Sequence, residues 1–303
     1  MATDVSIIYV NYHTSELIID SILSVIEKTA GVSYEIIIVD NNTEKDIDEK
    51  ISKKLPHNIS ITSILLEENI GFGRANNEGL KKARGRNIFF LNPDTLLTNN
   101  AIKILSDFLD NNPKTGACGG NLINQAKIPT ISFKRTLPGL FWDMDELLNT
   151  LPNKLFFGKN WLYNHSRKPL KVGFISGADL MVKREVINLT GGFSEDFFMY
   201  YEETDLCARI KKAGWEIYNV PSAQIIHLIG ASNRNENTKH SEFETQYMEI
   251  SRNIYYHKNI PTFSRVLSNF LYYIFLNSRK ILIREPVKKE YYQKRLLYHL
   301  LSK

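Results

Sequence analysis

Val5-Ser6-Ile7-Ile8-Tyr9-Val10-Asn11 and, a short helix-length later, Glu35-Ile36-Ile37-Ile38-Val39-Asp40-Asn41-Asn42 decide the fold of this 303-residue chain. Both runs are rich in Ile and Val and too short for helices, and both end abruptly on polar side chains. Each leads into a segment of helical period, Thr14–Lys28 after the first and Thr43–Lys54 after the second. Further strands are expected at Ile59–Leu66 and Asn87–Leu91, with a helix over Phe72–Ala83 between them. Near-continuous apolar strands alternating with helices predict a mainly parallel sheet covered on both faces, a Rossmann-like α/β arrangement. In such sheets ligands bind at the carboxyl ends of the strands, where the strand order reverses.

The polar clusters fall at those ends. Asn11 follows the first strand, Asp40 and Asn42 the second, and Asn92-Pro93-Asp94 the fourth. Taken singly they have an ordinary reading, since Asp and Asn cap helices and build turns. Either Asp40 or Asn42 could cap the helix expected from Thr43. Downstream, a helix over Asn99–Asn111 and a strand over Thr115–Leu122 follow. Residues 124–170 lose regular pattern and read as a variable insertion covering a binding site. Regularity returns over Val172–Val182, a helix from Glu202 to Ala213, and two short strands, Glu216–Val220 and Gln224–His227. From Thr238 the pattern is helical.

Composition places the chain among globular proteins, 43% hydrophobic and 23% charged. Ten Lys/Arg against two Asp/Glu from Lys258 to Lys303 give +8, so with a net charge of +5 residues 1–257 carry −3. Basicity confined to a tail speaks against a nucleic-acid binder and fits an anionic membrane surface or a solvated helix face. Over Thr262–Ile283, Val266, Leu267, Phe270, Leu271, Ile274 and Phe275 recur at helical spacing. Their face could pack on the core, pair with another copy, or lie in a membrane interface with Tyr272 and Tyr273 at headgroup depth. No stretch is long and apolar enough to span a bilayer, and the first residues read as a strand, not a signal peptide. Cys118 and Cys207, far apart, point to reduced thiols and a cytoplasmic location.

Phe197-Phe198-Met199-Tyr200-Tyr201-Glu202-Glu203-Thr204-Asp205 sets three carboxylates at a helix start behind an aromatic run. The helix dipole accounts for one or two of them. A carboxylate against apolar surface is also a stronger proton acceptor, which suits a general base. Asp94, just past a buried strand, could bind a hard divalent cation. His227, ending an apolar strand, gains meaning only if the fold sets it beside Asp94.

In order, Val5–Tyr12, Ile38–Asn42, Asn69–Gly79, Phe90–Thr95, Ser176–Met181, Gly192–Cys207 and His227 resemble family 2 glycosyltransferases of the rhamnosyltransferase-like branch. The resemblance spans residues 4–230. It implies a GT-A fold over residues 1–235 with a helical extension over 236–303. It also implies a nucleotide-diphosphate sugar donor of UDP or dTDP type, Mg²⁺ or Mn²⁺, and inverting transfer to a hydroxyl of a saccharide or lipid-linked acceptor. By position, Asn11 and Asp40 would contact the nucleoside, with Asn42 and Asn92 nearby and Arg74 beside the phosphates. Asp94 and His227 would hold the metal. Glu203 would be the catalytic base with Glu202 in reserve, and Asp205 would support the helix or the acceptor. Asn92 stands where the family's Asp-x-Asp element begins, and Glu203 is one methylene longer than the usual Asp. Two other functions are weighed: a nucleotidyltransferase, for which the glycine-rich basic loop is missing at Asn11–Thr14, and a non-catalytic nucleotide-sugar binding protein.

Overall fold

The computed structural model describes residues 3–42, 47–56, 59–228 and 242–302. In chain order the first half comprises β1 (Val5–Asn11), α1 (Ser15–Lys28), β2 (Tyr34–Asp40), α2 (Ile47–Lys54), β3 (Ile61–Leu65), α3 (Phe72–Lys82), β4 (Asn87–Leu91), β5 (Thr95–Leu97), α4 (Ala101–Asn111) and β6 (Thr115–Ile123). The second half comprises β7 (Phe133–Lys134), α5 (Leu140–Leu147), α6 (Leu151–Phe157), β8 (Leu170–Lys171), β9 (Phe174–Ile175), β10 (Asp179–Lys183), α7 (Arg184–Thr190), α8 (Glu202–Lys212), β11 (Glu216–His227), α9 (Glu242–Asn259), α10 (Thr262–Leu282) and α11 (Pro286–Leu301).

The main sheet runs β3-β2-β1-β4-β10-β6-β11-β5, with β8 on β11. Pairings among β3, β2, β1 and β4 are parallel, as is β6 with β11. β10 runs antiparallel to both β4 and β6, so the sheet is mainly parallel but mixed. Alternate residues of β1 and β2 feed two cores. Ile7, Tyr9, Ile36 and Ile38 pack with α1 and α4 on one side, while Ile8, Val10, Ile37 and Val39 face α3 on the other. Burial on both faces is why these strands are apolar without alternation. Strand order reverses at β1, between β2 and β4, and opens the crevice used below.

Several boundaries differ from those expected. α2 is described from Ile47 on; residues 43–46, where its start and its cap were expected, lie outside the described residues. Glu216–His227 is one strand and not two, because β11 stays paired to β6 across an irregularity between Asn219 and Gln224. Pro221 interrupts the pattern there without ending the strand. The insertion is irregular only in part: α5 and α6 within it are helices too short for periodicity to reveal. α5 is held by Asp143, which accepts from Arg252 Nη2 and Tyr256 OH, both at 2.8 Å, across to α9. The boundary expected at 235/236 falls in 229–241, outside the described residues. Cys118 and Cys207 are buried and unpaired.

α10 packs inward through Ser268, Tyr272, Phe275 and Leu276. Tyr272 is buried and donates to Glu249 Oε1 at 2.6 Å, so it does not sit at a headgroup surface. Val266, Leu267, Phe270 and Ile274 are exposed instead. Among the described residues no helix is long and apolar enough to cross a membrane.

Candidate active site

The carboxyl ends of β1 and β2 are locked together. Asn11 lies opposite Asp40 in the parallel register, and its Nδ2 donates to Asp40 Oδ2 at 2.9 Å. Asn11 Oδ1 accepts from Thr14 N at 3.0 Å, which starts α1, so Asn11 fixes both the strand pair and the first helix. Both side chains are buried. Beyond Asp40, Asn41 donates to Asn69 Oδ1 at 2.8 Å and accepts from Ile70 N at 3.0 Å. Asn42 stands exposed at φ 63°, so the turn directs its neighbour into the crevice. Asn41 escaped sequence reasoning because three consecutive polar residues give no hint which one points inward.

Across the crevice, Asn92 N donates to Ala178 O at 3.0 Å, and Asn92 Oδ1 is buried with no partner among the described residues. Asp94 is buried, and the antiparallel pairing of β5 with β11 sets His227 opposite Thr95. His227 Nε2 thereby comes to 3.3 Å from Asp94 Oδ1. No group of three or more His, Cys, Asp or Glu able to hold a metal occurs among the described residues. The donor set of one carboxylate, one imidazole and the orphaned Asn92 amide oxygen suits a Mg²⁺ or Mn²⁺ ion shared with diphosphate oxygens. An all-protein cage is not required, because such ions keep waters and phosphate ligands.

The acidic helix start is built by a strained turn. Tyr200 and Tyr201 both adopt the left-handed region, at φ 68° and 66°, immediately before α8. Each costs on the order of 1–2 kcal/mol. α9 braces the turn: Ser251 Oγ donates to Met199 O at 2.6 Å, and the Tyr201 and Tyr255 rings lie 5.5 Å apart. Gly71, at φ 89°, lies against Phe198, and Phe72 N donates to Phe198 O at 3.0 Å.

Glu202 and Glu203 then diverge. Glu202 is buried against α3, where a Cβ on Gly73 would stand 3.3 Å from Glu202 Cβ. Its Oε2 has no partner among the described residues. Burial pushes its carboxyl well above the usual range, and the charge of Glu203 adds to this. Glu203 is more open and turns toward Gly177 in the β9–β10 turn, whose Ala178 carbonyl holds Asn92. Burial also raises its pKa, opposed by backbone N–H groups and the Thr204 hydroxyl, which donates to Oε1 at 3.2 Å. Asp205 is structural, accepting from Arg209 Nε at 2.8 Å and from Asn259 Nδ2 at 2.9 Å on α9. Arg74 donates from Nε to the Glu195 carbonyl at 2.8 Å.

Asp179, at the start of β10, was not singled out from sequence. It is fully buried, and its Oδ2 accepts from Gly120 N while Oδ1 has no partner among the described residues. Burial pushes its carboxyl well above the usual range. The signal was available: a lone Asp opening an apolar strand, Asp179-Leu180-Met181-Val182.

With this geometry in hand, comparison with known proteins is informative. The model of "Glycosyl transferase family 2" matches residues 6–187. The low-salt glycan biosynthesis hexosyltransferase Agl10 of Haloferax volcanii is 26% identical over 251 residues, covering 82% of this chain and 72% of that relative. An N-acetylglucosaminyl-diphospho-decaprenol L-rhamnosyltransferase of Mycobacterium tuberculosis is 33% identical over 147 residues, 46% of each chain. Among solved structures, the mannosyltransferase PcManGT of Pyrobaculum calidifontis, in complex with GDP-Man and Mn²⁺, has a TM-score of 0.62 at 12% identity. It covers all of this chain and 88% of that one, which shows the shared GT-A fold.

Proposed function

The chain belongs to glycosyl transferase family 2, and from that membership we propose an inverting transfer carried out in the crevice between β1 and β4. The enzyme is a glycosyltransferase. The proposed donor is a UDP or dTDP sugar, with the nucleoside held by Asn11 and Asp40, and a hexose or rhamnose the transferred group. Arg74, which donates to the Glu195 carbonyl, is the residue proposed to lie beside the phosphates. A lipid-linked saccharide is the proposed acceptor, a reading supported by the acceptor in the name of the mycobacterial relative. The two buried, unpaired cysteines are in keeping with a cytoplasmic site of action.

The acceptor hydroxyl attacks the anomeric carbon from the face opposite the diphosphate. The new C–O bond forms as the bond to diphosphate breaks, which inverts the centre. Glu203 takes the hydroxyl proton. Its burial makes it a stronger base once ionised, while burial and the charge of Glu203 favour the neutral form of Glu202 beside it. Asp94, His227 and Asn92 would hold Mg²⁺ or Mn²⁺, which neutralises the charge of the leaving diphosphate. The observation that carries this reading is the 3.3 Å approach of His227 to Asp94 at the carboxyl ends, across the β9–β10 turn from Glu203.

The test is thermal melting with UDP, dTDP, GDP and their sugars, with and without Mn²⁺, followed by sugar transfer to a lipid-linked saccharide. A ligand at about 100 times its dissociation constant stabilises by about 2.7 kcal/mol. Metal-dependent stabilisation by a nucleoside diphosphate with turnover is the expected result. Binding without turnover in the presence of acceptor would mean a carrier of nucleotide sugars and not a transferase.

A further inference from the structure

α10 has two apolar faces with different fates. Tyr272, Phe275 and Leu276 pack inward against α5 and α11, where Glu249 ties Tyr272 to Arg295. On the opposite side Phe263, Val266, Phe270, Ile274 and Ile281 recur at spacings of three, four, four and seven residues, and all are exposed. Phe263 is 83% and Ile281 76% exposed. A stripe of this length facing water along a whole helix marks an interaction surface. The turn between α5 and α6 joins α10 near its end, where Arg279 donates to Asn149. Just beyond it, Leu155 and Phe156 on α6 are each 74% exposed.

We propose that this outer face of α10 seats the enzyme on an anionic lipid bilayer, its phenylalanines entering the boundary between headgroups and acyl chains. Charge selects this occupant. Lys280, Arg284 and Lys289 close the stripe at its C-terminal end and are ion-paired to no described residue. The segment from Lys258 carries +8 in sequence; Asp196, Glu242 and Glu249 from outside it neutralise Lys258, Lys294 and Arg295, which leaves +5. A second copy docking through the same face would bring two such cationic segments together, whereas an anionic leaflet complements them. An apolar stripe flanked by cations is the arrangement that lies in a membrane interface. A lipid-linked acceptor, as proposed above, would be met at such a surface, but the docking face stands on α10 alone.

Truncation is a poor test, because removing the chain from α10 onward also strips Glu249 of Tyr272 and Arg295. Phe263→Ser with Phe270→Ser removes only exposed side chains. The full-length chain and this variant are floated with vesicles of phosphatidylcholine containing phosphatidylglycerol, without donor or acceptor. The wild type should float, less so at high salt, and the variant should bind at least about tenfold more weakly with unchanged melting temperature. Wild type that stays in solution, or a variant that floats as well as wild type, overturns the proposal. A wild-type dimer in sedimentation that the variant dissociates, without vesicle binding, assigns the face to a second copy and overturns it as well. None of these outcomes depends on sugar transfer, so failure here is separable from failure of the enzymatic reading.

Discussion

Gly71→Ala should disable the enzyme by displacing the backbone that leads into the acidic helix start. Gly71 sits at φ 89°, where a side chain costs on the order of 1–2 kcal/mol. An added Cβ would lie 2.3 Å from the carbonyl oxygen of Phe198 and 3.0 Å from its Cα. Restoring ordinary van der Waals contact requires a movement of roughly 1 Å and breaks the Phe72 N–H bond to that carbonyl. The displaced backbone precedes Glu202 by four residues, and the two left-handed tyrosines between them leave little freedom to absorb it. A shift of about 1 Å in a catalytic group slows reaction on the order of 10²-fold, or about 2.7 kcal/mol of activation free energy. The assay is nucleoside-diphosphate release during transfer, at saturating donor, alongside thermal melting. Gly214→Ala is the matched control, because Gly214 has the same φ of 89° but nothing within 4 Å of its added Cβ. Both variants should melt a few degrees lower, and only Gly71→Ala should lose about two orders of magnitude in kcat. Should Gly71→Ala turn over within threefold of wild type, the aromatic turn does not position the carboxylates.

Glu203→Gln keeps the shape of the proposed base and removes its proton affinity. Transfer should fall about 10²–10⁴-fold with donor affinity within a few-fold, and loss in Glu202→Gln alone would shift the role by one residue. With Glu203 raised by burial, kcat/KM should climb with pH through that raised value, and the residual activity of Glu203→Gln should lack this step. Asp94→Ala should abolish the gain in Mn²⁺ affinity that a nucleoside diphosphate confers, measured by calorimetry; equal metal affinity with and without nucleotide in both proteins would remove the metal assignment. Asp179 is raised in the folded state, so its stability contribution is whole below the usual Asp value of about 3.9 and is lost as pH rises toward the raised value. Asp179→Asn should therefore gain on wild type by up to about 1.4 kcal/mol per pH unit across that window in denaturant melts, and parallel curves for the two proteins would contradict a protonated Asp179.

Local patterns of residues carry what depends on neighbours along the chain. Apolar runs buried on both faces announced β1, β2 and β4, helical spacing announced α1 and α3, and polar residues ending the strands marked the crevice. Tertiary structure decided what depends on pairing between distant segments. His227 meets Asp94 only because β11 pairs antiparallel with β5, a contact across more than a hundred residues that no local pattern encodes. Asn41 and not Asn42 enters the crevice network because one left-handed residue turns the chain there. The two glutamates differ because α3 presses on one and the β9–β10 turn faces the other. In α10, apolar spacing revealed an amphipathic helix, but helical period cannot say which of two apolar faces is inward. That was settled by Glu249 and Arg295 bonding to Tyr272, which turned Phe263 and Phe270 to the outside.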